Sequence, residues 1–221
     1  MKISNFEDVI PPKIFSLVSN LGFEEFRPSQ FKAIQQGLFD SKNLLVCTPT
    51  ASGKTLVGEL AFLNGIFERK GKAIYVVPLK ALASEKYKEF RKKYSELKVA
   101  ISLGDLDSED IYLETYDLII TTSEKLDSLL RHKAPWISSV NTLIVDEIHL
   151  LNDINRGPTL EVVITLLRRV VKNLQIVGLS ATIGNPEELA SWLDAELVIG
   201  DWRPVKLKQG VFLDDEIKFI E

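Results

Sequence analysis

Two short runs in this chain carry residue types suited to gripping and cleaving a phosphate chain. The first is Thr48-Pro49-Thr50-Ala51-Ser52-Gly53-Lys54-Thr55, which follows one apolar run and opens a longer amphipathic one. Successive backbone amides in such a turn form an anion-binding nest, and the helix behind it adds its positive end. Gly53 lets the main chain approach phosphate oxygens, Lys54 can reach the β and γ positions, and Thr55 can offer its hydroxyl to Mg²⁺. The general pattern has glycine where this chain has Thr48. A strand-turn-helix corner with a chance Gly-Lys-Thr is therefore the alternative that a second element must remove.

That element is Asp146-Glu147-Ile148-His149, at the end of the apolar run Thr142–Val145. A strand-terminal carboxylate holds Mg²⁺ in many phosphoryl-transfer sites, while a second group orients the attacking water. Adjacent side chains at a strand end diverge, so Asp146 can serve the metal and Glu147 the water, a contribution of about 10² to 10⁴ in rate. An acidic loop after a core strand is the plain alternative for either residue taken singly. His149 is ill-suited to Mg²⁺, which prefers oxygen, so it reads either as a hydrogen-bonded histidine or as a coupling residue between nucleotide state and neighbouring loops.

The elements that must position these residues follow from hydrophobic period. Strands are expected at 43–48, 73–78, 98–103, 117–121, 141–147, 174–180 and 195–200. Helices are expected at 12–20, 28–39, 54–69, 81–94, 124–131, 159–172 and 186–193, several opened by a first-turn proline. The strands are continuously apolar, as in a sheet covered on both faces. This strand-helix alternation predicts an α/β fold of three layers, α/β/α, around a mostly parallel sheet, with functional loops at the carboxyl ends of the strands. One domain over 1–203 is the economical division, with 204–221 as a departing strand pair.

Composition bounds the rest. At 221 residues with 45% hydrophobic and 26% charged, the chain can bury a sizeable core. No apolar run approaches the roughly 20 residues of a membrane span, and the N-terminus lacks a secretory pattern. A single cysteine, Cys47, excludes an intrachain disulfide framework and points to a reducing, cytoplasmic setting. The net charge of −4 is silent on nucleic acid, because phosphate contacts depend on local groups. The basic run 86–98 has Phe90 and Leu97 at near-helical spacing beneath it, which favours a solvated helix face over a binding groove.

Taken with its neighbours, this motif set resembles the DExH-box helicases of superfamily two. Phe26-Arg27-Pro28-Ser29-Gln30 looks like their adenine-reading Q motif, and Val76 to Ala83 like motif Ia. Gly104-Asp105 and Thr121-Thr122-Ser123-Glu124-Lys125 look like further strand-contact motifs, and Ser180-Ala181-Thr182 like motif III. Thr-Pro-Thr is the usual start of the phosphate loop in that family. The words at 78–86, 121–129, 146–151, 156–157 and 201–205 are similar to the Ski-two-like branch, in particular the archaeal Holliday-junction-migration (Hjm) type. The resemblance runs from about residue 10 to 210.

The resemblance implies a RecA-like P-loop NTPase fold that takes ATP and Mg²⁺. It implies that Gln30 reads adenine with both amide groups and that Phe23 stacks on the base. It places Pro78, Leu79, Lys80, Gly104, Asp105, Thr121, Thr122 and Lys125 along the backbone of single-stranded or forked DNA, moved 3′ to 5′. Ser180, Thr182 and His149 would couple the two sites. Taken alone, the same loops read equally as turns and helix caps.

Such a motor has two RecA-like domains with ATP between them, and the Gln-rich, Gly-Arg motif of the second is not found in this sequence. The expectation is therefore a first motor domain of a longer protein with accessory domains, monomeric and nearly inactive alone, since an arginine finger contributes about 10³ to 10⁵ in rate. Alternatives are an RNA helicase motor, a nucleotide-dependent nucleic-acid-binding module, and a metabolic P-loop kinase, although the chain has no Arg-rich lid.

Overall fold

A computed structural model describes residues 1–104, 110–205, 209–213 and 216–220. Its centre is a sheet of seven strands, all parallel: β1 Leu44–Cys47, β2 Lys72–Val76, β3 Val99–Ser102, β4 Leu118–Thr121, β5 Val140–Asp146, β6 Gln175–Ser180 and β7 Glu196–Ile199. Their spatial order is β3-β4-β2-β5-β6-β1-β7. The helices are α1 Pro12–Asn20, α2 Pro28–Gln35, α3 Lys54–Phe67, α4 Lys80–Lys93, α5 Ser123–Arg131, α6 Gly157–Val170 and α7 Pro186–Leu193.

The continuous apolar strands feed two cores by simple alternation. Leu44, Val46, Tyr75, Ile144, Val177 and Leu179 face α1 to α4. Leu45, Cys47, Ile74, Val76, Leu143, Val145 and Ile176 face α5 to α7. Both sheet faces are thus removed from water, the condition under which an all-parallel sheet is stable. This is the three-layer α/β/α arrangement read from the sequence, with every strand of the main sheet parallel.

Helix α3 is deeply set, with every residue from Leu56 to Ile66 buried. It lies so close to β5 that a Cβ at Gly65 would fall 2.1 Å from Thr142 Oγ1, and Asn141 Nδ2 donates to the Gly65 carbonyl at 2.9 Å. Helix α2 ends at Gln35, earlier than the hydrophobic pattern suggests. The chain turns there because Gly37 adopts φ +95°, and Leu38 N–H bonds back to the Ala33 carbonyl. Helix α4 buries Ala83 and Phe90 and leaves most of its charges exposed, as expected of a solvated face.

Beyond β7, strands β8 Gln209–Leu213 and β9 Glu216–Ile220 pair antiparallel in a separate two-stranded sheet. No described helix is long and apolar enough to cross a membrane.

Candidate nucleotide and nucleic-acid site

Because all seven strands point the same way, the loops after β1, β5 and β6 emerge side by side on one rim. The phosphate loop follows β1 and passes into α3. Ala51 (φ +65°) and Gly53 (φ +91°) both take left-handed backbone, the alternation that turns successive amides inward. Within the loop, the Thr48 and Ser52 hydroxyls share a hydrogen bond of 2.8 Å, and Ser52 N–H bonds to the Pro49 carbonyl at 3.2 Å. Helix α2 braces it from outside: Gln30 Nε2 donates to the Gly53 carbonyl at 2.9 Å and Arg27 Nη1 to the Ala51 carbonyl at 2.8 Å.

Gln30 is 3% exposed, and its Oε1 also accepts from the Arg27 N–H at 2.8 Å. One lone pair of that oxygen and one hydrogen of that nitrogen are left over for a base. The Phe23 ring lies 5.1 Å from Lys93 Nζ. The aromatic beside the loop's brace is Trp202, whose ring lies 5.5 Å from the Arg27 guanidinium.

At the rim, Asp146 ends β5 and Glu147 follows it. Lys54, 8% exposed, places its Nζ 4.0 Å from Glu147 Oε1. Glu147 takes φ +53°, which turns its side chain away from that of Asp146. Its other oxygen lies 3.3 Å from His149 Nδ1, a contact without hydrogen-bond alignment. Asp146 Oδ2 accepts from the Tyr75 hydroxyl at 3.1 Å, and Oδ1 accepts from Glu147 N–H at 3.1 Å. Burial, and then the charge of Glu147, raise the Asp146 carboxyl above the usual carboxylate range. Such a group gains from a cation beside it.

Among the described residues no cluster of three His, Cys, Asp or Glu side chains could hold a metal by itself. Mg²⁺ needs no such cage, since it keeps waters and takes one or two protein oxygens plus phosphates. The Asp146 carboxylate and the Thr55 hydroxyl at the start of α3 fit that pattern.

The coupling candidates lie nearby. Ser180 ends β6, wholly buried and in register with Cys47, and Thr182 is exposed just beyond it. His149 and the loop after Thr182 share a cavity of about 330 Å³, with Ile183 and Asn185 in its wall.

The strand-contact candidates occupy the other half of the same rim, after β2, β3 and β4. Leu79 is 45% exposed, and Lys80 and Gly104 are exposed beside it, with Gly104 at φ +101°. Pro78 is half-buried, and its carbonyl accepts from Arg156 Nη1 at 3.4 Å. Thr121 and Thr122 are buried, and the Thr121 hydroxyl donates to the Ser102 carbonyl at 2.9 Å. Lys125 is also buried, with its Nζ 3.2 Å from Asp110 Oδ2. Asp105 lies outside the described residues.

Arg27, as a brace of the phosphate loop, and Tyr75 are the functional neighbours that sequence reasoning did not single out. Tyr75 had a signal: one hydroxyl in an otherwise aliphatic strand, which a buried tyrosine has to satisfy.

A parallel sheet with a phosphate loop and an Asp-Glu pair on one rim defines a RecA-like nucleotide-binding fold. The DEAD/DEAH box helicase family profile matches residues 27–189, and the chain belongs to that family. It is 53% identical over 215 residues to the ATP-dependent DNA helicase Hel308 of Methanococcus vannielii, covering 94% of this chain and 28% of that protein. It is 54% identical over 216 residues to Hel308 of Methanocaldococcus jannaschii, covering 94% and 18%. Among solved structures it is similar to the DUF1998 helicase MrfA bound to DNA and AMPPNP, with a TM-score of 0.75 and 26% identity over 88% of this chain and 30% of that one. It is likewise similar to Mycobacterium smegmatis Lhr bound to ssDNA and AMP-PNP, with a TM-score of 0.71 and 29% identity over 83% and 26%. The chain thus spans less than a third of the length of these relatives.

Proposed function

We propose that this chain is the ATP-binding first motor domain of an ATP-dependent DNA helicase, unwinding and remodelling forked or 3′-tailed DNA in the 3′-to-5′ direction. The observation that carries the reading is the 4.0 Å approach of Lys54 Nζ to Glu147 Oε1, with Asp146 beside them on the same rim. Lys54 and the open backbone amides of the phosphate loop bind the triphosphate. Asp146 and Thr55 hold Mg²⁺, which would neutralise charge on the phosphate oxygens. Glu147 accepts a proton from the attacking water, and its contact with His149 leads toward the loop after Ser180.

DNA is preferred to RNA because the similar proteins named above are DNA helicases or were solved on DNA. The exposed Leu79, Lys80 and Gly104 suit backbone contacts, which are sequence-independent. Turnover requires the arginine finger of a second RecA-like domain, so this domain alone, a monomer, binds ATP and hydrolyses it poorly. Accessory domains and a cytoplasmic, nucleoid-associated setting complete the reading.

Calorimetry with Mg·ATP tests it: Lys54→Ala is expected to lose measurable affinity, and unchanged affinity would overturn the assignment. Competition between matched single-stranded DNA and RNA oligonucleotides decides the polymer. An RNA preference would move the chain to the RNA helicases.

A further inference from the structure

We propose that Tyr75 is the positioning residue for Asp146, and the joint through which the loop after β2 acts on the metal-holding carboxylate. This rests on the nucleotide-site reading above.

Tyr75 lies in β2 with no exposed surface, in parallel register with Ile144 of β5. Ile144 and Asp146 share a face of β5, so the tyrosine ring runs past the isoleucine toward the carboxylate two residues on. The hydroxyl reaches Oδ2 at 3.1 Å, while Glu147 N–H holds Oδ1 at 3.1 Å. One donor on each oxygen fixes the plane of the carboxylate and leaves a lone pair on each for metal or water. The hydroxyl is the donor here, because a carboxylate oxygen can only accept. Edge contact with Phe90, at 5.3 Å between ring centroids, holds the ring in place. An apolar side chain of the same shape would fill this space equally well, so packing alone does not call for the hydroxyl.

The same strand leads directly to the exposed loop. Pro78, Leu79 and Lys80 follow Tyr75 by three to five residues, and Arg156 Nη1 ties the Pro78 carbonyl to the segment beyond Glu147 at 3.4 Å. A load on that loop travels along β2, which is hydrogen-bonded on both sides by β4 and β5, and reaches the Tyr75 hydroxyl.

Tyr75→Phe deletes one oxygen and keeps the ring. Groups that orient metal ligands typically contribute about 10- to 100-fold in metal affinity, and the low end is expected for a single neutral donor. For the chain carrying Tyr75→Phe, ATP affinity in Mg²⁺ should fall about tenfold while ATP affinity in EDTA stays at the wild-type value. Any mutual tightening between Mg·ATP and a single-stranded DNA oligonucleotide should weaken with it. Equal losses with and without Mg²⁺ would mean a structural role only and would overturn the proposal, as would unchanged Mg·ATP affinity. Undiminished coupling to the oligonucleotide would overturn the joint. Asp146→Asn separates the levels: if it too leaves Mg·ATP affinity intact, the nucleotide-site reading itself has failed.

Discussion

Lys54 Nζ and Glu147 Oε1 face each other at 4.0 Å across the end of β6. On the proposed reading, an arriving γ-phosphate would draw the lysine away from Glu147 and leave that carboxylate to accept a proton. Glu147→Gln keeps the shape and removes the base. Mg·ATP affinity is expected to hold, while ATP turnover stimulated by single-stranded DNA falls by about 10² to 10⁴. Calorimetry with Mg·ATP reads the first quantity, and a phosphate-release assay on a longer protein carrying this domain reads the second.

Gly53 is constrained twice. Its φ of +91° is strained for any L-residue, and a Cβ there would meet Gln30 Nε2 at 2.5 Å. Gly53→Ala should cost about 1–3 kcal/mol of stability by denaturant unfolding. Because Gln30 must move, the phosphate loop loses its brace, and ATP affinity should drop more than the stability loss alone would suggest.

The two lysines of the strand-contact loops separate cleanly. Lys80 is exposed at the start of α4, so Lys80→Ala should leave stability within about 0.5 kcal/mol and weaken single-stranded DNA binding. Lys125 has a side chain only 3% exposed and pairs with Asp110, itself bonded by the Ser102 hydroxyl at 2.6 Å. Removing the ammonium takes away the charge facing Asp110 in a largely buried setting, so Lys125→Ala should cost about 3–5 kcal/mol. Thermal unfolding beside a fluorescence-anisotropy titration distinguishes the two outcomes.

The fold was legible because its signal is local. Each strand of the main sheet ends within two residues of its apolar run, and the phosphate loop and Asp-Glu pair are contiguous words whose context the period supplies. What lay hidden depends on partners distant in sequence. The burial of Lys125 follows from Asp110, and the role of Tyr75 from a carboxylate 71 residues away. Phe23, similar to a base-stacking residue by position, has its ring beneath Lys93 of α4 and packs against the core on that side of the sheet. The short 3-10 turn Ile148–Asn152 after the Asp-Glu pair carries no helical period long enough to read.

Acidity probes the interior of α3. Glu59 is buried, and its Oε2 accepts from both Lys93 Nζ and the Tyr94 hydroxyl. Desolvation nonetheless raises its carboxyl above the usual range. A raised folded value means the contribution of Glu59 is complete below the unfolded carboxylate range, about pH 4.3, and is lost as pH rises through the folded value. Relative to Glu59→Gln, the wild-type chain should therefore lose stability across that interval, by at most about 1.4 kcal/mol per pH unit. Urea midpoints at a series of pH values, compared between the two proteins, measure it.

On the proposed reading the sheet order gives each trade its own strands: β1, β5 and β6 would carry the triphosphate chemistry, and the strand-contact candidates follow β2, β3 and β4. Within the sheet the halves meet at the seam between β2 and β5, which Arg156 also crosses to the Pro78 carbonyl. That division would let the loop after β4 be exchanged with that of a relative acting on a different polymer, changing the track without retuning the engine.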